Sequence, residues 1–293
     1  MPLVNPLRFL KKAQNKRLAI GAFNIYNMET IQAVLEGAAE EKAPVIIQIT
    51  PRTLKYAGIP YVTAMIKAVA QKYDIPIALH LDHCSSYDIL AKCIRHGFTS
   101  VMVDGSELPY NENVAFTKEV VKFAHAVGVA VEAELGHVGR DGNNIPIGDK
   151  RETTMTDPNV AKKFTDDTEI DTLAVAIGTT HGIYKGKPKL DFKRLALIRK
   201  TVDVPIVIHG ASGLDDVSIT RLIGEGASKI NIATDLKISM ATAIRLYFTN
   251  NPKENDPRKY MEVGRKAVKE VVKKKIRLCG ANELGNFRGC NYE

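Results

Sequence analysis

Short apolar runs and amphipathic segments alternate along the whole chain. Eight runs are mostly continuous rather than alternating, which is typical of parallel strands that are covered on one face and packed on the other. These predicted strands span residues 18–23, 44–50, 75–81, 99–104, 129–135, 172–177, 205–209 and 229–233. Proline precedes or opens several of them, where a missing backbone donor costs little.

The segments between the runs repeat their apolar residues at helical spacing. They span residues 28–41, 61–73, 87–96, 112–126, 159–166, 192–200 and 217–225, with further helices at 236–247 and 257–277. Eight strand–helix units predict a single α/β domain over residues 1–293, a (β/α)8 TIM barrel with a C-terminal helical extension from about residue 250. The connection at residues 136–156 is too long for an ordinary loop and is a candidate active-site lid.

Composition and charge limit the kinds of ligand and macromolecule that we expect the chain to bind. The chain has 293 residues, 45% of them hydrophobic, and a net charge of +8. Its lysines are scattered, except in residues 266–275, where valines at helical spacing predict a helix with a solvated basic face. We therefore expect a small anionic substrate and no nucleic acid. Four cysteines without ribbon or disulfide spacing, and no recognisable signal or membrane segment, predict a cytoplasmic protein that binds no membrane.

Polar residues close nearly every predicted strand. In such barrels the carboxyl ends of the strands form the active site. Three histidines that converge there, with carboxylates between them, match a catalytic zinc site with one position left for substrate. In chain order the residues at the strand ends are Asn24, Thr50, Asp82 with His83, Asp104, Glu132 or Glu134, Gly178 through His181, His209 and Asn231.

His80 and His83 lie three residues apart on one predicted strand. Because side chains alternate across a strand, we expect the two histidines on opposite faces and assign the metal to His83. His80 then shares a face with Asp82, either as a packing accident or as a pair behind the site. For Asp104 and Glu134 two interpretations stand, namely hydrogen bonds that orient the histidines or a secondary metal position.

Two turns after the seventh and eighth runs predict a phosphate site. One is Gly210-Ala211-Ser212-Gly213 and the other is Asn231-Ile232-Ala233-Thr234-Asp235. Backbone amides in such turns, next to a helix N-terminus, bind phosphate, and in barrels this site usually follows strands seven and eight.

Taken together, the motifs resemble those of the class II, metal-dependent ketose-bisphosphate aldolases, most closely the fructose- and tagatose-1,6-bisphosphate branches. The resemblance covers almost the whole chain. It is carried, in order, by Leu79-His80-Leu81-Asp82-His83, Asp104-Gly105-Ser106, Glu132-Ala133-Glu134-Leu135-Gly136, Ala176-Ile177-Gly178-Thr179-Thr180-His181-Gly182, and the two turns above.

The resemblance implies one zinc ion per subunit on His83, His181 and His209. It implies that Asp82 gives and takes the proton at the hydroxyl of the scissile bond, and that Asp104 and Glu134 can bind a displaced metal. Asn24 and Thr50 are further candidate substrate-binding residues. The phosphate and body of dihydroxyacetone phosphate would be held by Gly182, Gly210, Ala211, Ser212, Asn231, Ile232, Ala233 and Thr234.

Two further sequence elements bear on subunit contacts and on a monovalent cation. Asp256-Pro257-Arg258 resembles an element whose arginine binds the distal phosphate in a neighbouring subunit, which implies a homodimer or homotetramer. The region Tyr184-Lys185-Gly186 resembles the part that helps to hold a monovalent cation, Na⁺ or K⁺.

The long loop departs from the family pattern. Relatives carry Gly-Gly-x-Glu-Asp there, whereas this chain reads Gly139-Arg140-Asp141-Gly142-Asn143-Asn144. The missing glutamate shuttles the proton at the enolising carbon in the family. Asp141 is the candidate replacement, Glu152 is a more distant one, and Arg140 is a candidate contact to a substrate anion.

The sequence thus predicts a lyase for reversible aldol cleavage of fructose- or tagatose-1,6-bisphosphate to dihydroxyacetone phosphate and glyceraldehyde 3-phosphate. One alternative is a class II aldolase for another phosphoketose, such as a deoxy or sulfonated analogue. The other is a non-catalytic binding protein on the same barrel, which the presence of Asp82 with all three histidines disfavours. No residue in the sequence distinguishes fructose from tagatose at C4.

Overall fold

Eight parallel strands close into a barrel in chain order, with the last strand paired to the first. The computed structural model describes residues 3–139, 154–184 and 186–285. The predicted (β/α)8 barrel is confirmed. Its strands are β1 Ile20–Asn24, β2 Val45–Ile49, β3 Ile77–Cys84, β4 Ser100–Val103, β5 Ala130–Leu135, β6 Thr172–Val175, β7 Ile206–Ile208 and β8 Ala227–Ile232.

Helices surround the barrel and extend it at the C-terminus. They are α1 Leu7–Lys16, α2 Met28–Glu40, α3 Pro51–Ala57, α4 Ile59–Ala70, α5 Tyr87–Arg95, α6 Tyr110–His125, α7 Pro158–Thr168, α8 Phe192–Thr201, α9 Asp216–Gly224, α10 Thr234–Asn250 and α11 Pro257–Cys279, followed by a 3₁₀ turn at Ala281–Leu284. The sequence analysis did not predict α1, α3 or the 3₁₀ turn. Among the described residues, none of these helices is both long enough and apolar enough to cross a bilayer.

Side chains cap the N-termini of many of the helices. In six helices, the residue before the first turn accepts a hydrogen bond from a backbone N–H of that turn, which satisfies a group that the helix itself leaves unpaired. Three of these caps are followed at once by proline, which fits the first helical position. The six caps are Asn27, Thr50, Asp157, Asp191, Asp215 and Asp256.

The interior of the barrel is partly polar. Alternation along each strand sends every second side chain inward. A small apolar group, Met102, Ala174 and Val207, lies apart from the large core between strands and helices. Buried polar residues of the interior are His80, Ser100, Glu132, Thr172 and Lys229. The barrel therefore carries charge beneath its carboxyl end.

The basic stretch of α11 is less solvated than the sequence predicted. Lys269 and Lys273 both pair with Glu40 of α2, each at 2.7 Å, and they lower the pKa of Glu40 to about 2. Lys275 is buried and pairs with Asp235 at 3.1 Å. The prediction of a solvated face is wrong for these three lysines, because α11 packs against α2 and α10 through Val268, Val272 and Ile276.

We predict that Gly37→Val destabilises the protein by about 1–3 kcal/mol, because side-chain atoms added there overpack the interface between α2 and α11. A Cβ at Gly37 would lie 3.0 Å from Val272 Cγ1 and 3.3 Å from the Lys269 carbonyl oxygen. Gly224→Val is the control, because a Cβ at Gly224 meets nothing within 4 Å. Chemical denaturation measures both, and equal stabilities of the two variants would contradict the prediction.

Candidate active site

A cavity of about 590 Å³ opens at the carboxyl ends of the strands. Among the predicted site residues, those that line it are Asn24, Thr50, Asp82, His83, His181, Gly182, His209, Gly210, Ser212, Asn231, Ala233 and Thr234. The structure therefore brings residues from six of the eight strand ends around one space.

His83 enters the cavity through an unusual backbone conformation. Its φ is +47°, in the left-handed region, and the pairing of β3 with β4 shifts register between Leu81 and Cys84. Non-glycine residues adopt this region uncommonly, and it breaks the alternation of side chains. The expectation that His80 and His83 lie on opposite faces is therefore wrong, since both reach the barrel interior. His80 hydrogen-bonds to Ser100 at 2.9 Å rather than to Asp82.

The imidazoles of His83, His181 and His209 converge. Their ring centroids are 4.5 to 5.8 Å apart, and one nitrogen of each lies within 4.8 Å of the others. His83 Nδ1 is 2.9 Å from Asp104 Oδ2, to which it donates, so that in the neutral imidazole Nε2 carries the lone pair. That Nε2 is buried and has no partner among the described residues. Three imidazole nitrogens with an unpaired buried lone pair among them fit a zinc ion.

A buried ion pair between Glu132 and Lys229 orients His209. Its Nε2 donates to Glu132 Oε1 at 2.9 Å, and Lys229 Nζ donates to Glu132 Oε2 at 2.7 Å. Burial alone would raise the pKa of Glu132, but the Lys229 charge and the His209 hydrogen bond hold it well below its usual value. The hydrogen bond leaves His209 Nδ1 as the lone-pair nitrogen.

A second group of ligand-type atoms surrounds His83. Asp104 and Glu134 bring carboxylate oxygens to 2.9 and 3.7 Å from His83 Nδ1, and the three residues lie within ligand reach of one another. The Asp104 contact is the orienting hydrogen bond that one sequence interpretation predicts. Glu134 Oε2 is buried and accepts no hydrogen bond from any described residue, so the secondary metal position stays a prediction.

Asp82 presents one free oxygen to the cavity. Its Oδ2 accepts from Asn24 Nδ2 at 2.8 Å, while its Oδ1 is buried and unpartnered by any described residue. Burial would raise the pKa of Asp82, but the neighbouring charges, that of His83 first and that of Lys229 after it, lower it to about 2. Asp82 is therefore ionised at neutral pH and can accept a proton.

The turns after β7 and β8 meet at the start of α10. The backbone N–H groups of Ala233 and Thr234 both donate to Ser212 Oγ at 3.0 Å. Gly210 has φ +68°, and a Cβ there would lie 2.5 Å from the Thr180 carbonyl oxygen, so only glycine fits. Donors at a helix N-terminus beside a hydroxyl suit an anion such as phosphate.

Some predicted residues do not line this cavity. The side chains of Ala211 and Ile232 are buried in the core. Arg258 lies at the start of α11, 89% exposed, pairs with Asp256 at 2.8 Å, and lines a separate surface groove. Its role in a neighbouring subunit stays a prediction. The predictions for Arg140, Asp141, Gly142, Glu152 and Lys185 lie outside the described residues.

Sequence reasoning missed several residues of the site. Gln48 is a buried amide in the otherwise apolar strand β2, and Lys229 is a buried cation in β8. A polar residue at a strand position was the available signal. Arg52 and Lys237 also line the cavity, but they resemble ordinary residues of helix starts. Glu132 was named only as an alternative to Glu134, and the structure gives each a separate histidine partner.

The chain is similar to known aldolases over nearly its whole length. The family model for class II fructose-bisphosphate aldolase matches residues 4–283. The crystal structure of the YdjI aldolase from Escherichia coli K12 is 36% identical, with a TM-score of 0.84, over 96% of this chain and 98% of that one. A putative fructose-1,6-biphosphate aldolase from Coccidioides immitis is 28% identical, with a TM-score of 0.84, over 95% and 96%. Fructose-bisphosphate aldolase from Campylobacter jejuni, at 23% identity and a TM-score of 0.80 over 96% of both chains, shares the fold.

We predict that metal binding at pH 8 releases about one proton per ion, because a metal needs the neutral imidazole. Burial would lower the pKa of His83 in the metal-free protein, but Asp82, Asp104 and Glu134 raise it to about 9. The stabilisation from protonated His83 is thus complete below its ordinary value of 6.5 and is lost as the pH rises through about 9.

Titration calorimetry with Zn²⁺ in buffers of different ionisation enthalpy counts the proton. Glu134→Gln removes one of the three carboxylates and is expected to reduce the count. A binding enthalpy that is the same in every buffer would contradict the prediction.

Proposed function

The chain belongs to the class II fructose-bisphosphate aldolase family, and we propose that it reversibly cleaves fructose- or tagatose-1,6-bisphosphate to dihydroxyacetone phosphate and glyceraldehyde 3-phosphate. The family makes the protein a lyase that acts on a phosphoketose. The observation that carries the proposal is the free oxygen of Asp82 beside three convergent imidazoles. Together they offer a metal position and a proton acceptor in one cavity.

Zinc is the metal that this donor set suits best, and we assign one ion per subunit to His83, His181 and His209. When bound, it would act as a Lewis acid on the substrate's ketone oxygen. Asp104 and Glu132 hold two of the imidazoles in the tautomers that a metal requires. The protein's own contribution is thus a set of ligands that is oriented before any ion arrives.

Asp82 supplies the proton chemistry at the breaking bond. In the cleavage direction the hydroxyl at C4 must lose its proton as the C3–C4 bond breaks, and the ionised Oδ1 can accept it. In the reverse direction the same oxygen returns the proton. The second proton, at the enolising carbon, needs a group from the long loop, for which Asp141 is our candidate.

The substrate is held at two ends. The cradle of Ser212, Ala233 and Thr234 would bind the phosphate of the dihydroxyacetone half, with Gly182 and Asn231 beside it. A monovalent cation, Na⁺ or K⁺, is proposed near residues 184–186. Asn24 and Thr50 line the β1 and β2 side of the cavity, where the aldehyde half would lie.

Other parts of the proposal concern the whole molecule. We propose that residues 1–293 form one catalytic domain, that the protein is cytoplasmic, and that it acts in carbohydrate breakdown as a homodimer or homotetramer. Arg258 is exposed, pairs with Asp256 and lies outside its own cavity, and we propose that it binds the distal phosphate in a partner subunit.

A second candidate is the aldol cleavage of another phosphoketose, such as a deoxy or sulfonated analogue. The observation that favours it is glycine at position 142, where the family pattern that the sequence resembles has a glutamate, with Arg140 close by in the sequence. A panel of phosphoketoses assayed for release of dihydroxyacetone phosphate distinguishes the candidates.

We predict that Asp82→Asn lowers the rate of aldol cleavage by about 100- to 10,000-fold, because the amide cannot accept the hydroxyl proton. Elemental analysis should show unchanged metal content, since Asp82 is not one of the three proposed metal ligands. Asp88→Asn, at an exposed carboxylate paired with Lys92, is the control and should retain full activity.

Proton exchange at the enolising carbon of dihydroxyacetone phosphate separates the two acids. Asp82→Asn should retain this exchange, whereas Asp141→Asn should slow it. Retention of cleavage by Asp82→Asn would contradict the role of Asp82, and normal exchange in Asp141→Asn would remove Asp141 as the loop acid.

We predict that Arg258→Ala raises KM for a ketose 1,6-bisphosphate by about 10-fold or more, because a charge-assisted contact to the distal phosphate is lost. The KM for a ketose 1-phosphate should not change. Lys266→Ala, on the same helix and paired with Glu262, is the control. An active monomer in analytical ultracentrifugation would contradict the contribution from a partner subunit.

A further inference from the structure

The short helix α3 forms one wall of the cavity. It follows β2 directly and packs against β3, the strand that carries Asp82. Arg52, Thr53 and Tyr56 of this helix line the cavity. Arg52 and Tyr56 lie four residues apart, so that they are neighbours on one face of the helix. The cavity therefore has a guanidinium and a phenol on its β2 side, beyond Thr50.

Arg52 is a cation in the cavity wall without a carboxylate partner. It is exposed and forms no ion pair with any described residue. By contrast, Arg194 and Arg258 each pair with an aspartate close to them in the sequence. An arginine keeps its charge at any physiological pH, and its N–H groups form a fork that matches the oxygens of a carboxylate or phosphate. The Arg52 guanidinium is therefore available to an anionic ligand in the cavity.

The position of α3 matches the far end of the proposed substrate. The phosphate cradle lies after β7 and β8, and Asp82, which would meet the C4 hydroxyl, lies near the end of β3. In the closed barrel β8, β1, β2 and β3 follow one another, with neighbouring strands about 4.8 Å apart. A ketose that extends from the cradle past Asp82 therefore points its last carbons towards α3. Lys237, which also lines the cavity, lies three residues after Thr234 and so at the cradle end.

We propose that Arg52 binds an anionic group at the far end of the substrate, from within the same subunit. The group is a phosphate, sulfonate or carboxylate beyond C4, and Tyr56 lies beside it on the same helix face. The inference rests on the proposed function, because the roles of Asp82 and of the cradle orient the substrate. Arg52 is thus a specificity-determining residue and takes no part in the proton transfers.

Electrostatics favour a cation at this position. Asp82 is ionised at neutral pH and repels an anionic substrate, and a cation in the same cavity offsets that repulsion. Arg258 can do so only in another subunit, since it lies outside its own cavity and pairs with Asp256. Arg52 lines its own cavity, so that recognition of the far end does not require a subunit contact.

Calorimetry with hexitol phosphates tests the proposal without catalysis, because these ligands have no ketone and cannot be cleaved. The zinc-loaded wild type should bind a hexitol 1,6-bisphosphate more tightly than the hexitol 1-phosphate. Arg52→Gln should weaken binding of the bisphosphate by about 10-fold or more, as for the loss of a charge-assisted contact. Binding of the 1-phosphate should not change. Arg52→Lys, which keeps the charge but not the fork, should lie between the wild type and Arg52→Gln.

Two further variants complete the binding experiment. Arg95→Gln is the matched control, because Arg95 is exposed in the last turn of α5 and does not line the cavity. It should bind both ligands as the wild type does. Arg258→Ala should still prefer the bisphosphate, because Arg52 remains, and the addition of Arg52→Gln should remove that preference.

A panel of ketose 1-phosphates identifies the anionic group. The far ends of these substrates carry a phosphate, a sulfonate, a carboxylate or a neutral hydroxymethyl group. Arg52→Gln should lower kcat/KM by about 10-fold or more for the anion that the wild type prefers. It should leave kcat/KM for the neutral substrate within about twofold of the wild type, because a lost contact to the far anion does not affect that substrate.

Three binding results would overturn the proposal. One is an unchanged affinity of Arg52→Gln for the bisphosphate, and another is an equal loss for the bisphosphate and the 1-phosphate. The third is a wild type that binds the bisphosphate no more tightly than the 1-phosphate. If the wild type cleaves no phosphoketose, the proposed function fails, whereas the calorimetry still decides the role of Arg52.

Discussion

Hydrogen bonds from buried imidazoles to buried carboxylates determine what this barrel can do. Asp104 accepts from His83 and Glu132 accepts from His209, and each bond fixes which ring nitrogen is left for a metal. Without them the imidazoles could rotate or change tautomer, and a metal would have to order them on binding. With them, the ligand atoms are in place before the ion binds.

This arrangement requires charge inside the barrel, next to a small apolar group and other buried polar side chains. A buried carboxylate is costly unless it is paired and fully hydrogen-bonded. Lys229 meets that requirement for Glu132, and Ser100 and Lys229 occupy the two nitrogens of His80 beside them. The stability of the fold then rests on the large core outside the barrel, between strands and helices. The interior can therefore hold the polar residues that orient the site.

The position of each residue in its strand explains why the sequence revealed some of the site and hid the rest. Strand ends are visible as polar residues after apolar runs, so Asp82, His83, His181 and His209 could be predicted together. The left-handed backbone of His83 could not be predicted, because the alternation of side chains, on which the prediction rested, holds only for regular strands. The roles of Gln48 and Lys229 were also hidden, since a polar residue within a strand gives no indication of its partner across the barrel. The short helices α1 and α3 lie outside the strand–helix rhythm from which the other elements were predicted.

The position of a bound metal tests the account most directly. Anomalous diffraction from crystals of the wild-type protein grown with Zn²⁺, measured on both sides of the zinc absorption edge, locates the ion without reference to activity. We predict a zinc peak bounded by His83 Nε2, His209 Nδ1 and a nitrogen of His181, next to Asp82 Oδ1. A fully occupied peak elsewhere, or no peak at this position at saturating zinc, would contradict it.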